Sequence, residues 1–490
     1  MVDQPDDSAG LRRATLGCLL SCFVGTVPPR WLLDAFADGL GGVVLFASNT
    51  GDGTRVRPLT DRLRAAAGRE VVLAVDEEGG EVSRLDVARS GATPTAAALG
   101  ELDEPDTTEA VYAGLGARLA EAGITLDLAP VADVNRPANP VIGLRSFGSD
   151  PQLVSRHVVA AIAGLQSAGI AACAKHFPGH GDTVADSHVE VATVPGDRAS
   201  LEQVDLAPFR AAIDAGVAAV MTGHLMVPAL DPQALVTVSR PVTTGLLREQ
   251  LGFTGSVVTD ALEMRALADT VGIAEGFVGS LAAGADTIET GAVEDPDMVE
   301  QIVSAVARAV AEGRLSADRV QQAATATAAL ARRPAESTAH NGSIARADGF
   351  EAGAASAAAR AVRTSRVLPR LVDPLVIECH SPASVAAGRT GWSLGELLSE
   401  RVTGTQTVVV DDDAEVDLSE ASQRSVVLVI RDAGRHRWQQ RLLATVRTRP
   451  AVVVVDVGWP YDTGGLPTIW TRGTARVQLA AAVELLAAGR

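Results

Sequence analysis

The segment VVLAVD, residues 71–76, is a short apolar run that ends in a carboxylate, and runs of this kind recur along the first two-thirds of the chain. Longer Ala- and Leu-rich amphipathic segments separate them, as residues 107–122 do. Repeated strand-then-helix order predicts parallel strands, and about seven such units predict a (β/α)8 TIM-type barrel, with a doubly wound sheet as the alternative. The apolar runs are residues 42–47, 71–76, 124–131, 170–177, 217–224, 256–260 and 285–289.

Polar side chains that can carry out chemistry stand at the end of most of these runs. In a parallel barrel the active site is built at the C-terminal ends of the strands, where such residues converge. The pattern therefore favours the barrel and predicts a site at that face. The residues are Asp76, Asp133, Lys175, His176, His224 and Asp260.

A second domain is expected, because 490 residues exceed the length of one ordinary domain. Residues 332–359 are rich in Ala, Gly, Ser and charge, which predicts a linker that runs into a helix. Five further apolar runs predict a smaller α/β sandwich domain, and none of them leads into a Gly-rich phosphate loop. We predict the barrel at residues 1–335, the linker and helix at 336–365, and the C-terminal domain at 366–490.

The composition excludes several classes of partner. The formal net charge of −18 would repel a phosphate backbone, so no nucleic acid is expected to bind. The four cysteines are too few for a disulfide framework and are predicted to be small buried residues. No apolar run reaches the ~20 residues that a membrane span needs, so no membrane partner is expected.

The apolar run at residues 16–24 follows Arg12 and Arg13 and superficially resembles a signal peptide. Residues 3–7 before it are acidic, however, and no small-x-small cleavage site follows the run. We interpret the run as a buried segment of the first helix and expect a cytoplasmic protein. Secretion is the alternative, if residues 1–25 act as a signal.

The segment KHFPGHGDTVADSH, residues 175–188, contains one lysine, three histidines and two aspartates. A structural loop rarely concentrates titratable groups in this way, so the segment is predicted to be functional. Lys175 is the only lysine in the chain. Its compact ammonium differs in size and hydrogen bonding from the guanidinium used at every other basic position.

Three residues, two in this segment and one after a later apolar run, can supply acid/base and nucleophilic chemistry. Asp186 can hydrogen-bond to His188, fix its ring and raise its basicity, which gives a general acid/base, while metal ligation is the alternative. Asp260 can attack an anomeric carbon and form a glycosyl–enzyme ester. Its alternative role is the N-cap of a helix at residues 261–264.

Two further residues have side chains suited to holding a sugar. The guanidinium of Arg145 can fork onto hydroxyl groups or a carboxylate, and the carboxylate of Asp76 can accept hydrogen bonds from hydroxyl groups. Surface ion pairs are the alternative for both residues. On the residue pattern alone, both interpretations stay open.

These motifs together resemble glycoside hydrolase family 3, specifically the two-domain type of its β-N-acetylhexosaminidase branch. The resemblance covers most of residues 10–330, with the motifs in the family's order. KHFPGHGDT followed by DSH is its most specific feature, since the β-glucosidases of the family lack that Asp-x-His pair. The segment DVGWP at residues 456–460 is similar less specifically. The other similar segments are residues 41–46, 75–80, 129–135, 145–148 and 259–262.

The resemblance implies a role for each matching residue. Asp260 is the expected nucleophile, and His188 is the expected acid/base with Asp186 as its partner. Neither a metal ion nor an organic cofactor is implied. The residues expected to bind the terminal N-acetylglucosamine are Asp76, Arg84, Arg145, Lys175 and His176.

One position departs from the family pattern. Members of the family usually carry arginine after the double glycine of the VDEEGG motif, and this chain has Glu81 there. We expect Glu81 to lie just outside the sugar pocket and to affect aglycone or subsite preference rather than catalysis.

The resemblance implies a retaining exo-β-N-acetylglucosaminidase that releases terminal N-acetylglucosamine from peptidoglycan fragments through a covalent intermediate. A neutral histidine does not repel an incoming anion, so an N-acetylglucosaminide phosphorylase that uses phosphate in place of water is the main alternative. A non-catalytic sugar-binding protein and a metal-dependent hydrolase are alternatives of other classes.

Overall fold

The structure is a computed structural model of the chain. It describes residues 7–51, 53, 56–85, 91–183, 190–291, 296–332, 347–365, 367–380, 391–411 and 423–489.

The described part of the first two-thirds contains ten short strands, most of them rich in Val, Leu and Ala and buried on both faces, as expected of parallel strands covered by helices. The strands are β1 (Leu19–Ser21), β2 (Gly42–Leu45), β3 (Val72–Val75), β4 (Leu126–Asp127), β5 (Ala171–Phe177), β6 (Ala192–Thr193), β7 (Ala219–Thr222), β8 (Leu225–Met226), β9 (Ser256–Thr259) and β10 (Ile288–Glu289).

Eight of these strands form one parallel sheet in the order β10-β1-β2-β3-β4-β5-β7-β9. A parallel bridge between Val258 in β9 and Thr287, next to β10, joins the two ends of this order and closes the barrel. The predicted (β/α)8 barrel is therefore confirmed, and the doubly wound alternative is wrong for this part of the chain. Strands β6 and β8 pair separately beside the barrel.

Helices surround the barrel and bury their apolar faces against the strands. The α-helices are α1 (Asp7–Gly17), α2 (Arg30–Asp38), α3 (Ala47–Thr50), α4 (Val56–Ala67), α5 (Ala96–Leu102), α6 (Pro105–Glu121), α7 (Pro151–Ser167), α8 (Arg198–Ser200), α9 (Ala207–Asp214), α10 (Arg265–Ala268), α11 (Ile273–Ala283), α12 (Pro296–Ala311) and α13 (Ala317–Ala331), and two π-helices lie at Leu201–Asp205 and Pro241–Gln250. The amphipathic segment predicted at residues 107–122 forms most of helix α6, which ends at Glu121.

The interpretation of residues 16–24 as a helical segment is wrong. Helix α1 ends at Gly17, and residues 19–21 form β1, which pairs with both β2 and β10 inside the barrel. Both the helix end and the strand are apolar and buried, so hydrophobicity alone does not separate them. Removal of residues 1–25 would remove this strand from the barrel.

A second, mixed sheet follows helix α14 (Ala347–Ala361) and has the order β11-β16-β15-β14-β12-β13. All its pairs are parallel except that of β11 with β16. Its strands are β11 (Arg363–Thr364), β12 (Leu375–Cys379), β13 (Gln406–Val410), β14 (Val426–Ile430), β15 (Val452–Asp456) and β16 (Thr468–Trp470).

Helices cover both faces of this sheet. Helices α15 (Leu394–Ser399) and α17 (Arg476–Ala488) pack on one face, and α16 (Arg437–Val446) packs on the other. The predicted α/β sandwich is confirmed, and we call this unit, from β11 to α17, the C-terminal domain. The predicted boundaries at residues 335 and 365 stay predictions.

The four cysteines are buried, as predicted. Among the helices that the structure describes, none has the length and apolarity required to cross a membrane.

Candidate active site

A buried lysine organises the C-terminal ends of β3 and β5. The Nζ atom of Lys175 lies 2.7 Å from Asp76 Oδ1 and 2.7 Å from Glu78 Oε1. Lys175 is 2% exposed, so both ion pairs are shielded from water. Burial by itself lowers the pKa of Lys175, but the two carboxylates outweigh it and raise the pKa, which keeps the ammonium charged.

Glu78 also binds Arg145. The Arg145 Nε and Nη2 atoms donate to the two oxygens of Glu78 at 2.8 and 2.7 Å, which is a bidentate ion pair. Burial would raise the pKa of Glu78, but the charges of Arg145 and Lys175 hold it well below its ordinary value. The carboxylate of Glu78 therefore fixes the two cations side by side.

His176 belongs to the same cluster and is oriented by Asp133. His176 Nδ1 lies 2.7 Å from Asp133 Oδ2, and His176 Nε2 lies 3.4 Å from Arg145 Nη2. The other oxygen of Asp133 accepts from the backbone N–H of His180 at 2.7 Å. Asp133 is fully buried. Through these two contacts it fixes the ring of His176 and holds residues 176–180 in place.

Arg84 completes the predicted sugar-binding set. Its Nη2 atom lies 3.9 Å from Asp76 Oδ2. The structure thus brings together all five residues that the sequence predicted for this role, and the ion pairs of Asp76 and Arg145 lie mostly buried rather than on the surface. They are Asp76, Arg84, Arg145, Lys175 and His176.

Asp260 stands at the C-terminal end of β9. Its backbone N–H donates to Thr222 O at 3.1 Å, and its Oδ1 accepts from the N–H of Ala261 at 2.9 Å. The next helix begins at Arg265 with Met264 at its N-cap. The alternative of Asp260 as an N-cap for a helix at residues 261–264 is therefore wrong.

A buried acid, Glu289, lies beside the end of β9, where its backbone N–H donates to Thr259 Oγ1 at 3.1 Å. Burial, followed by the charges of Asp76 and Asp260, raises the pKa of Glu289 well above its ordinary value. The charges of Asp76 and Asp260, which follow strands β3 and β9, thus both act on this buried group. Glu289 ends β10 and was not among the predicted site residues.

Asp186 and His188 lie outside the described residues, which include the chain up to Thr183 and again from Glu190. The segment that leads toward them is well anchored. The side-chain amide of Asn139 donates to His180 O at 2.8 Å and to Thr183 O at 3.0 Å.

A comparison of the sequence with known protein families identifies the family of this chain. The model of the glycosyl hydrolase family 3 N-terminal domain matches residues 34–330. The chain belongs to glycoside hydrolase family 3. The resemblance found in the sequence is confirmed, and with it the assignment of the chain to the glycoside hydrolases.

Relatives within family 3 point to one branch. A β-hexosaminidase of Thiobacillus denitrificans is 38% identical over 258 residues, which are 50% of this chain and 70% of the relative. Among solved structures, a family 3 β-N-acetylglucosaminidase from Paenibacillus sp. matches with a TM-score of 0.86 and 29% identity, over 98% of this chain and 97% of that one. A β-N-acetylhexosaminidase from Beutenbergia cavernae matches with a TM-score of 0.58 and 32% identity, over 67% and 99%.

Glu81, where this family 3 chain departs from the usual arginine, contacts the C-terminal domain. Its carboxylate forms an ion pair with Arg431 at 2.6 Å and accepts two hydrogen bonds from Thr474. Glu81 thus joins the two domains, and its expected effect on aglycone or subsite preference stays a prediction.

Among the residues that the structure describes, no group of three or more His, Cys, Asp or Glu side chains is arranged to hold a metal ion. The dyad of Asp186 and His188 lies outside those residues.

Replacement of Glu78 with glutamine tests whether this carboxylate holds the cluster. It would leave the charges of Lys175 and Arg145 without their shared partner, so we expect the midpoint of thermal unfolding to fall by about 5–10 °C. We expect KM for a β-N-acetylglucosaminide to rise by about tenfold or more, because the two cations lose their fixed positions. Calorimetry and steady-state kinetics measure both effects.

The matched control is Glu300→Gln, which removes the exposed ion pair of Glu300 with Arg12 and should change the free energy of unfolding by less than about 1 kcal/mol. The effect of Glu78→Gln should depend on pH. The folded-state pKa of Glu78 is lowered, so its ionised form adds stability above about pH 4.3 that is lost as the pH falls below that value. A difference from wild type that stays constant below this pH would contradict the assigned role.

Proposed function

We propose that the chain is a retaining exo-acting β-N-acetylglucosaminidase. Asp260 acts as the nucleophile, and His188 acts as the acid/base with Asp186 as its partner. The observation that carries the proposal is the cluster in which Glu78 fixes Lys175 and Arg145 beside Asp76, at the same barrel face as Asp260. Support also comes from the β-hexosaminidases and β-N-acetylglucosaminidase to which the chain is similar.

The cluster is suited to hold a neutral sugar with several hydroxyl groups. Lys175 has three N–H donors, two of which lie against Asp76 and Glu78, and we assign the third to a sugar hydroxyl. Asp76 accepts from another hydroxyl, while Arg84, Arg145 and His176 donate to the ring substituents. A sugar bound in this way presents its anomeric carbon toward Asp260.

Hydrolysis then proceeds in two steps. Protonated His188 gives its proton to the leaving oxygen while a carboxylate oxygen of Asp260 bonds to the anomeric carbon, so the aglycone leaves as an alcohol. Neutral His188 next takes a proton from water, which attacks the same carbon and releases Asp260 as a carboxylate. The two inversions together retain the β configuration.

Fragments of peptidoglycan that end in N-acetylglucosamine are the substrate we propose, in the cytoplasm. This part of the proposal is by analogy with the family. The place of β1 in the barrel supports a chain that keeps its first 25 residues. A form of the protein from culture medium that lacked about 25 N-terminal residues would contradict the cytoplasmic location.

Phosphorolysis is the second candidate reaction, because the acid/base proposed here is a histidine, whose neutral form does not repel phosphate. Incubation with 4-nitrophenyl N-acetyl-β-D-glucosaminide, with and without phosphate, separates the two reactions. We expect nitrophenol and free N-acetylglucosamine as the products in both conditions, detected by chromatography.

If N-acetylglucosamine 1-phosphate is the main product when phosphate is present, the enzyme is a phosphorylase rather than a hydrolase. Loss of activity in a chelator, with return on addition of a divalent metal, would favour the metal-dependent hydrolase. Tight binding of N-acetylglucosamine with no turnover of any substrate would favour the sugar-binding protein.

A further inference from the structure

A tight turn links the candidate sugar site to the C-terminal domain. Gly79 and Gly80 have φ values of 88° and 60°, and the N–H of Val82 donates to Gly79 O at 3.2 Å. Glycine adopts such positive φ values without the strain that a side chain adds. Glu78, which holds Lys175 and Arg145, stands directly before the turn, and Glu81 lies within it.

The C-terminal domain occupies every side of the Glu81 carboxylate for which contacts are described. Arg431 donates to its two oxygens at 3.0 and 2.6 Å, and Thr474 donates from its backbone N–H and its hydroxyl at 3.0 and 2.7 Å. The side chain of Glu81 is 9% exposed. Burial would raise the pKa of Glu81, but the charge of Arg431 lowers it, so the carboxylate is ionised and depends on its partner.

Glu77 connects the residues before this turn to the residues after it. Its carboxylate accepts from the Ser83 hydroxyl at 2.6 Å, from Arg84 N at 2.6 Å and from Leu85 N at 3.0 Å. The loop from Asp76 to Leu85 is therefore braced as one unit, and a shift of its turn would move Glu78 and Arg84 together.

We propose that Glu81 and Arg431 are a positioning pair, through which the C-terminal domain sets the geometry of the sugar-binding loop at residues 76–85. The catalytic unit is then the two domains together rather than the barrel alone. An arginine at position 81, which is usual in the family, would face the like charge of Arg431. The effect on sugar binding rests on the proposed function, whereas the effect on the loop does not.

Arg431→Gln tests the pair in the full chain. We expect KM for 4-nitrophenyl N-acetyl-β-D-glucosaminide to rise by about tenfold, with kcat changed by less than about threefold and the pH profile unchanged, because the binding groups move while the reacting groups stay. We also expect faster amide exchange in residues 77–85, measured by mass spectrometry.

The matched control is Arg472→Gln, which removes another ion pair of the same interface, from Arg472 Nη2 to Glu101 Oε2 at 2.5 Å. Its two side chains are 18% and 27% exposed, and neither belongs to the loop. We expect KM and the exchange of residues 77–85 to stay close to wild type. If Arg431→Gln does not fold, Arg431→Lys, which keeps the charge without the fork, should raise KM by less than about tenfold and still speed amide exchange in residues 77–85.

Equal changes in KM and in loop exchange for Arg431→Gln and Arg472→Gln would overturn the proposal, because the pair would then be only one of several structural contacts. Unchanged exchange in both Arg431 variants would overturn it as well. If the wild type releases no nitrophenol, the proposed function fails. Faster loop exchange in Arg431→Gln alone would still support the positioning pair.

Discussion

Asp260→Asn is expected to reduce the release of nitrophenol from 4-nitrophenyl N-acetyl-β-D-glucosaminide by about 10⁴-fold or more, the scale seen when a covalent nucleophile is removed. A carboxamide does not displace the aglycone, so no glycosyl–enzyme ester forms. The change should appear in kcat, with KM nearly unchanged, because we assign sugar binding to the residues around Lys175. Steady-state kinetics measure both constants.

Asparagine keeps the Oδ1 acceptor that Ala261 N–H uses at 2.9 Å, so the strand end should retain its fold. Asp269→Asn is the matched control, since it removes one carboxylate from an exposed ion pair with Arg265. We expect Asp269→Asn to have wild-type kinetics. Activity in Asp260→Asn within about tenfold of wild type would show that another group is the nucleophile.

His188→Ala is expected to lower kcat by about 10²–10⁴-fold on a disaccharide substrate, the usual contribution of a general acid/base. Nitrophenol is a much better leaving group than a sugar alcohol and needs little protonation. In the same variant, the rate of glycosidic bond cleavage should therefore fall much less on the nitrophenyl substrate than on the disaccharide. Rates on N,N′-diacetylchitobiose and on the nitrophenyl glycoside measure the contrast.

Azide tests the second half of the same assignment. It attacks an anomeric carbon without transferring a proton, so it should accelerate turnover of His188→Ala on the nitrophenyl substrate and yield a β-glycosyl azide. Wild type is the control, and azide should not increase its rate. Equal losses on the two substrates, together with no effect of azide, would contradict the acid/base role of His188.

The barrel could be predicted from sequence because each parallel strand is a short apolar run with a helix before and after it. The one barrel strand that the sequence did not predict is β1, because no break separates it from the helix before it. Between the end of α1 at Gly17 and the start of β1 at Leu19 there is one residue, Cys18, and all three positions are apolar or small. No polar break marks the change of period there.

The site was predicted as far as local motifs reach. The five sugar-binding candidates stand in or next to the motifs that carry the resemblance, and the structure brings them together. Asp133 was expected at this face, but its role as the partner of His176 was not predicted, and Glu78 was missed. Both roles come from contacts made only in the folded chain. Arg145, for example, lies 67 residues from Glu78 in sequence.

The role of Glu81 could not be predicted from a local motif. Its departure from the family pattern was visible in the sequence, but its partner Arg431 lies 350 residues away, in a domain whose placement no local pattern specifies. Only the packing of the C-terminal domain against the barrel brings the two charges together. The sequence marked the position as unusual, and the structure supplies the physical reason.

Covalent trapping tests the central assignment most directly. An activated 5-fluoro derivative of N-acetylglucosamine forms the glycosyl–enzyme faster than the intermediate is hydrolysed, because fluorine destabilises the oxocarbenium-like transition states and a good leaving group restores the first step. Peptide mapping by mass spectrometry should find the sugar on the peptide that contains Asp260, and no label in Asp260→Asn. A label on another carboxylate, or an unlabelled enzyme that still releases N-acetylglucosamine, would contradict the account.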